Sequence, residues 1–204
     1  FKLLIPSLSY QFKILAFDNR GVGGTDKPDM PYTIEMMAND TATLMDQLGI
    51  ENAHVLGASM GGRIAMDLAL RHPDKVKSLI LVSTSPATST KSLSVLTMLI
   101  KRLQSWIDKS HKPYDAFLRQ KVASRSYDCR DRLHEIQAPT LILHGEQDKL
   151  ALYQCAEEML VGIKGSKLIP FKGGHLFFIW ENKQFADAIA AFLSGLHSDH
   201  ADAP

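Results

Sequence analysis

The chain has 204 residues, 45% of them apolar, and its 23 basic and 22 acidic residues leave a net charge of +1. This composition predicts one globular unit, argues against disorder, and gives no general attraction to nucleic acid or an anionic membrane. No apolar run has the length of a membrane span. Together with the nearly balanced charge, this makes neither a nucleic acid nor a membrane an expected partner.

Apolar runs typical of buried strands alternate with segments whose apolar residues recur every three or four positions, as in an amphipathic helix. Thr33 suits the N-cap of one such helix, which ends at Gly49 and has a core-facing stripe that includes Leu48. In chain order the patterns predict the end of a helix at 1–8, a strand at 13–17, a helix at 34–48, a strand at 54–56, a helix at 60–70, strands at 79–82 and 140–143, a helix at 152–161, a strand at 167–171 and a helix at 182–196.

Strands that alternate with helices indicate a mostly parallel sheet with helices on both faces. Residues 86–139 break this alternation, because they hold no convincing strand and carry an apolar stripe at helical spacing over 93–107. We therefore predict a core formed by residues 1–86 and 138–204, with a short helical cap insert at 87–137.

Two cysteines, Cys129 and Cys155, lack the spacing of a metal site. Unpaired thiols are typical of a reducing compartment, and no signal-peptide pattern is present. These two observations predict a cytoplasmic location. Because the chain begins with Phe1 and not with Met, the absence of a targeting signal carries little weight.

The run from Gly57 to Gly62 carries the pattern G-x-S-x-G, with Ser59 at its centre. It lies between the predicted strand at 54–56 and the predicted helix at 60–70. A serine hydroxyl is a poor nucleophile unless it is held exposed beside a base, and a sharp strand-to-helix turn can hold it there. On the motif alone, a structural turn without chemistry is an equally good interpretation.

Two further polar residues, Asp148 and His175, follow predicted strands in the second half of the chain. Histidine titrates near neutral pH and can serve as a base, and a carboxylate can fix the tautomer of the imidazole. Taken singly, each could be an ordinary loop residue. Glu146 is a second candidate for the acid, and His144 is expected to be structural.

Four pieces of the sequence, in the right order, resemble the α/β-hydrolase superfamily: residues 17–25, 57–62, 138–148 and 173–175. The chain order Ser59, Asp148, His175 is also the order associated with these enzymes. Within the superfamily, residues 127–133 and 175–178 are most similar to 3-oxoadipate enol-lactonase and related small carboxylesterases.

The resemblance implies an α/β-hydrolase fold in which Ser59 is the nucleophile, His175 the base and Asp148 the orienting acid. It also implies that the Met60 N–H donates to the oxyanion hole. In this family a second donor comes from a His-Gly loop after an earlier strand, and no such loop precedes Lys13. We therefore expect the first strands of the sheet and this donor to be missing, as in a fragment, a truncated gene or a reduced variant.

The sequence thus predicts a serine hydrolase without cofactor or metal, which cleaves a small carboxylic ester or lactone through an acyl-enzyme on Ser59. The alternative is a catalytically impaired, hydrolase-like binding module or fragment, because a missing oxyanion donor costs on the order of 100- to 1000-fold in rate. Missing strands would also expose a sheet edge to a second copy, which leaves a homo-oligomer open.

Overall fold

Seven α-helices lie within residues 5–88 and 111–201, the part of the chain that the computed structural model describes. They are α1 (Ile5–Leu8), α2 (Ile34–Gln47), α3 (Met60–Arg71), α4 (His111–Ser126), α5 (Tyr153–Gly162), α6 (Phe177–Trp180) and α7 (Asn182–Ala201). Short 3-10 helices span Pro73–Lys75 and Arg130–Glu135. The predicted helices are present, and α6 is an additional one that the patterns did not indicate.

Four parallel strands form one sheet in the order β1-β2-β3-β4, and all four were predicted. They are β1 (Ala53–Ala58), β2 (Val76–Val82), β3 (Thr140–Gly145) and β4 (Lys167–Phe171). In a parallel sheet the carboxyl ends of all strands lie at the same edge. Ser59 follows β1, Asp148 follows β3 and His175 follows β4, so this edge is where the three side chains can meet.

Strand β2 is buried on both faces, as its unbroken apolar run predicted. Leu79 and Leu81 pack in one hydrophobic cluster with residues of α2, α3 and α5. Ile80 and Val82 point the other way and pack in a second cluster with residues of α6 and α7. Alternate side chains of one strand therefore enter opposite layers, which shows that helices cover both faces of the sheet.

Helix α2 begins where the sequence predicted, because the Thr33 hydroxyl accepts a hydrogen bond of 3.0 Å from the Met36 N–H. The C-terminal end of α2 differs from the prediction. Leu48 was expected in the buried stripe but is 53% exposed, while Ala42 is buried. The reason is that Leu48 is the C-cap residue, and the chain turns away at Gly49 with a φ of 66°.

The predicted buried strand at residues 13–17 is wrong. These residues belong to no strand, and Ile14, Leu15 and Phe17 are 38%, 45% and 40% exposed. A strand requires ladder hydrogen bonds from a neighbour. Within the described residues, β1 pairs only with β2, and no strand pairs with residues 13–17. An apolar run alone therefore does not become a buried strand here.

The stretch between β2 and β3 is helical where it is described, as predicted, with α4 followed by the 3-10 helix Arg130–Glu135. An isolated bridge joins Ala87 to Asp128. The predicted apolar stripe over 93–107 lies outside the described residues, and the division into a core and an insert at 87–137 stays a prediction. Among the helices that the structure describes, none is both long and apolar enough to cross a membrane.

Candidate active site

Ser59 stands at the turn between β1 and α3 with a φ of 53° and a ψ of −120°. A positive φ at a residue that has a Cβ costs on the order of 1–3 kcal/mol, so the surroundings must impose it. Two hydrogen bonds, one to the last residue of β2 and one from a residue just after it, do so. The Ser59 N–H donates to the Val82 carbonyl (2.9 Å), and the Thr84 hydroxyl donates to the Ser59 carbonyl (2.6 Å).

Two glycines of the motif permit close contacts around this turn. A Cβ on Gly57 would lie 2.2 Å from the Gly61 carbonyl oxygen, and a Cβ on Gly62 would lie 2.5 Å from the Thr84 Cβ. Gly61 itself has open space at the same position, with nothing within 4 Å. The tight strand-to-helix turn therefore requires glycine at positions 57 and 62, and not at position 61.

Asp148 is 4% exposed and lies in the turn that follows β3. One of its carboxylate oxygens, Oδ1, accepts hydrogen bonds from the N–H groups of Leu150 (2.8 Å) and Ala151 (3.0 Å). The other, Oδ2, lies 2.8 Å from Nδ1 of His175. Because the turn holds one oxygen, the second is fixed in position to accept the Nδ1 proton of the imidazole.

His175 completes a continuous chain of hydrogen bonds, since its Nε2 lies 3.1 Å from the Ser59 Oγ. Its loop packs closely against the turn after β3. A Cβ on Gly145 would lie 2.5 Å from the Gly174 carbonyl oxygen, and Gly173 has a φ of 109°. The Gln147 N–H donates to the Gly173 carbonyl at 2.8 Å. Glycines thus bring the two loops, and with them Asp148 and His175, into contact.

The structure therefore brings Ser59, His175 and Asp148 together at the carboxyl edge of the sheet. With Nδ1 donating to the carboxylate, Nε2 can accept the hydroxyl proton of Ser59. Glu146, the other candidate acid, is exposed and takes no part in this chain of hydrogen bonds. Met60 is the first residue of α3, so its N–H belongs to the helix end at which N–H groups have no intrahelical acceptor.

His144 also contacts the buried carboxylate of Asp148, and no pattern in the sequence predicted this contact. Its Nε2 lies 2.8 Å from the Ala151 carbonyl oxygen and 3.5 Å from Oδ2 of Asp148. The carbonyl can only accept, so Nε2 carries the proton. His144 is fully buried, and this burial lowers its pKa. A neutral His144 therefore holds the turn that orients Asp148, which agrees with the structural role expected for it.

We expect the His144→Gln variant to lose part of the acid sensitivity of the fold. The pKa of His144 is lower in the folded state than its ordinary value of about 6.5, so both states are neutral above that pH. Below it the unfolded state binds the proton first, and stability falls as the pH is lowered. Urea unfolding between pH 8 and 5 should show a shallower decline for the variant than for the wild type.

The exposed His134 offers a matched control for the same replacement, and the decline should be shallower for His144→Gln than for His134→Gln. Asp148 and His175 also face His144, but both remain in the variant, so the difference between the two profiles isolates His144. Identical profiles for His144→Gln and the wild type would contradict the prediction.

The two thiols are poor candidates for a nucleophile. Cys129 and Cys155 are free, and burial raises the pKa of Cys129 to about 11 and also raises that of Cys155. Both are protonated at neutral pH, and a thiol is far less nucleophilic than a thiolate. Within residues 5–88 and 111–201, His, Cys, Asp and Glu side chains form no group of three or more that suits a metal ion.

Comparison with known proteins decides the family. A family model described as the alpha/beta hydrolase fold matches residues 1–110, more than half of the chain. The chain belongs to the α/β-hydrolase family. The AB hydrolase superfamily protein YisY of Bacillus subtilis (strain 168) is 31% identical to it, over 89% of this chain and 81% of YisY.

Solved structures share the fold. The esterase EaEST from Exiguobacterium antarcticum is 28% identical, with a TM-score of 0.74 over 87% of this chain and 80% of the esterase. The enol-lactonase from Burkholderia xenovorans LB400 is 24% identical, with a TM-score of 0.81 over 94% of this chain and 85% of the lactonase. The predicted α/β-hydrolase fold is thus confirmed.

Proposed function

We propose that this protein hydrolyses a small carboxylic ester or lactone through an acyl-enzyme formed on Ser59. One observation carries the proposal: the hydrogen-bonded chain from the Ser59 Oγ through the His175 imidazole to the buried Asp148 carboxylate, with links of 3.1 and 2.8 Å. Such a chain activates a hydroxyl that is otherwise a poor nucleophile. Its parts come from three separate loops at one edge of the sheet.

In the first half of the reaction the Ser59 Oγ attacks the carbonyl carbon while Nε2 of His175 takes the hydroxyl proton. The resulting imidazolium is stabilised by Asp148, and its proton then passes to the departing alcohol oxygen. In the second half a water molecule gives a proton to His175 and attacks the acyl-enzyme. The acid leaves as Ser59 recovers its proton, so the protein needs no cofactor for the cycle.

The negative charge that develops on the carbonyl oxygen needs a hydrogen-bond donor, and we propose the Met60 N–H as one. It lies next to Ser59 at the N-terminus of α3, a helix of 12 residues, where the helix dipole also favours negative charge.

The family and its members support the choice of reaction. Membership of the α/β-hydrolase family makes hydrolysis the general reaction class. Of the two solved structures described above, the esterase shares more of its sequence with this chain. The enol-lactonase is similar at the level of the fold, and the finer likeness to 3-oxoadipate enol-lactonases, carried by residues 127–133 and 175–178, stays a prediction.

Labelling with a fluorophosphonate probe tests the proposal. The wild type should be labelled and should hydrolyse p-nitrophenyl acetate, whereas Ser59→Ala should do neither, because the probe reacts with an activated serine. Ser126→Ala removes an exposed hydroxyl at the end of α4 and should behave like the wild type. Labelling that persists in Ser59→Ala would overturn the assignment of the nucleophile. A folded wild type that neither labels nor cleaves esters or lactones would favour the binding module instead.

A further inference from the structure

Arg63, one helical turn after Ser59 on α3, makes an unusually complete set of hydrogen bonds. Its Nε donates to the Ser85 carbonyl (3.2 Å), and its Nη2 donates to the Ser85 hydroxyl (2.6 Å) and the Ala87 carbonyl (3.2 Å). Its Nη1 donates to the Thr88 hydroxyl (2.5 Å) and to both the carbonyl (2.6 Å) and the hydroxyl (2.7 Å) of Ser124. A guanidinium has five N–H donors, so every donor has an acceptor within the protein.

None of these acceptors is a carboxylate, although Arg63 is partly buried and its burial lowers its pKa. Burying a cation without an opposite charge is costly, and hydrogen bonds to neutral oxygens offset only part of that cost. Because no donor is left over, Arg63 has no hydrogen bond to offer a substrate. Its planar guanidinium instead joins α3 to two other pieces of the chain, residues 85–88 and α4. An ammonium group cannot do this in the same geometry.

One of the pieces that Arg63 joins, residues 85–88, begins next to a residue that contacts Ser59. The segment from Ser85 to Thr88 continues from the carboxyl end of β2, and Thr84 just before it donates to the Ser59 carbonyl at 2.6 Å. Ser124 lies in the last turn of α4. Ligands of open α/β sheets bind outside the carboxyl ends of the strands. Residues 85–88 therefore begin at the edge of the sheet where a substrate would bind, and Arg63 ties α4 to them.

We propose that Arg63 is a positioning residue that fixes residues 85–88 and α4 on the nucleophile helix, and so determines how well the part of the substrate beyond the reacting carbonyl is bound. The inference rests on the proposed function. Arg63 is not one of the three side chains that form the hydrogen-bonded chain. The chemistry at the carbonyl therefore stays intact when Arg63 is replaced, whereas the binding of a longer acyl chain is weakened.

The test compares a short and a long substrate, p-nitrophenyl acetate and p-nitrophenyl hexanoate, in Arg63→Lys and Arg63→Met. We expect KM for the hexanoate to rise about 10-fold in both variants, with kcat unchanged, as for the loss of an interaction that binds ground state and transition state equally. The kinetics with the acetate and the rate of fluorophosphonate labelling should stay within about 2-fold of the wild type. Lysine at position 63 should not restore the wild-type KM for the hexanoate, because its ammonium group lacks the planar geometry of the guanidinium.

Arg71→Lys is the matched control, because Arg71 ends the same helix but pairs with Glu35 and Asp67. It should leave KM for both substrates unchanged. Replacing the acceptors gives an independent route: Thr88→Val combined with Ser124→Ala removes two hydroxyl acceptors and introduces no charge. We expect this double variant to raise KM for the hexanoate, and the rise to be no larger when Arg63→Met is added. This route also applies if the Arg63 variants fail to fold.

The inference is overturned if Arg63→Lys has the KM of the wild type for the hexanoate. It is also overturned if acetate turnover, hexanoate turnover and labelling all fall in parallel, because that would place the defect in the Ser59 turn itself. Both results presuppose a wild type that labels at Ser59. A wild type that does not label would instead count against the proposed function, so the two failures are distinguishable.

Discussion

Replacing Asp148 by asparagine is expected to lower kcat about 10⁴-fold while the fold persists, by analogy with the loss of the orienting carboxylate in other Ser-His-Asp enzymes. The carboxylate oxygen Oδ2 accepts the Nδ1 proton of His175 at 2.8 Å, which leaves Nε2 free to take the proton of Ser59. An amide nitrogen in that place would donate to Nδ1 and force the proton onto Nε2. The base would then be lost, and so would the charge that stabilises the imidazolium.

The measurement is steady-state hydrolysis of p-nitrophenyl acetate by purified Asp148→Asn, with circular dichroism to show that it folds. The variant keeps an oxygen that can accept from the Leu150 and Ala151 N–H groups, so the turn should persist. Glu146→Gln, two residues earlier and exposed, is the matched control and should retain the kcat of the wild type. A kcat for Asp148→Asn within about 10-fold of the wild type would show that Asp148 does not orient the base.

The buried strands and the sheet could be predicted because their patterns depend on local sequence. The run around Leu79 to Val82 is apolar at every position since both faces of β2 are covered, and the start of α2 follows from the Thr33 hydroxyl. Residues 13–17 show the limit of this reasoning. Their apolar run is that of a strand, but forming one depends on a pairing partner elsewhere in the chain, which the local pattern does not describe.

The members of the candidate site were suggested by motif, but the contacts that position them were not. Ser59, Asp148 and His175 each follow a strand, and parallel topology brings strand ends to one edge. The hydrogen bond from Thr84 and the contact of His144 with Asp148 depend on how neighbouring loops pack. Such contacts join residues far apart in sequence through side chains that many other residue types could replace, so no spacing rule reveals them.

Replacing Gly57 by alanine is expected to destabilise the protein by about 3 kcal/mol or more, at or above the upper end of the usual cost of overpacking. The added Cβ would lie 2.2 Å from the Gly61 carbonyl oxygen and 2.5 Å from the Gly61 carbonyl carbon. Both are backbone atoms in the first turn of α3, so no side-chain rotation relieves the clash. Either β1 or α3 must shift, and the Ser59 turn between them must deform. Urea unfolding measures the loss of stability, and p-nitrophenyl acetate hydrolysis the loss of activity.

Gly61→Ala provides the matched control, because an added Cβ there meets nothing within 4 Å and lies on a helix. Alanine is favoured over glycine in a helix by about 1 kcal/mol, so this variant should be as stable as the wild type or more stable. If Gly57→Ala loses less than about 1 kcal/mol, the close approach of β1 and α3 is not what fixes the turn. If it loses stability while Gly61→Ala does not, then the two glycines of G-x-S-x-G have different purposes. The first allows the strand and helix to meet, whereas the turn does not require the second.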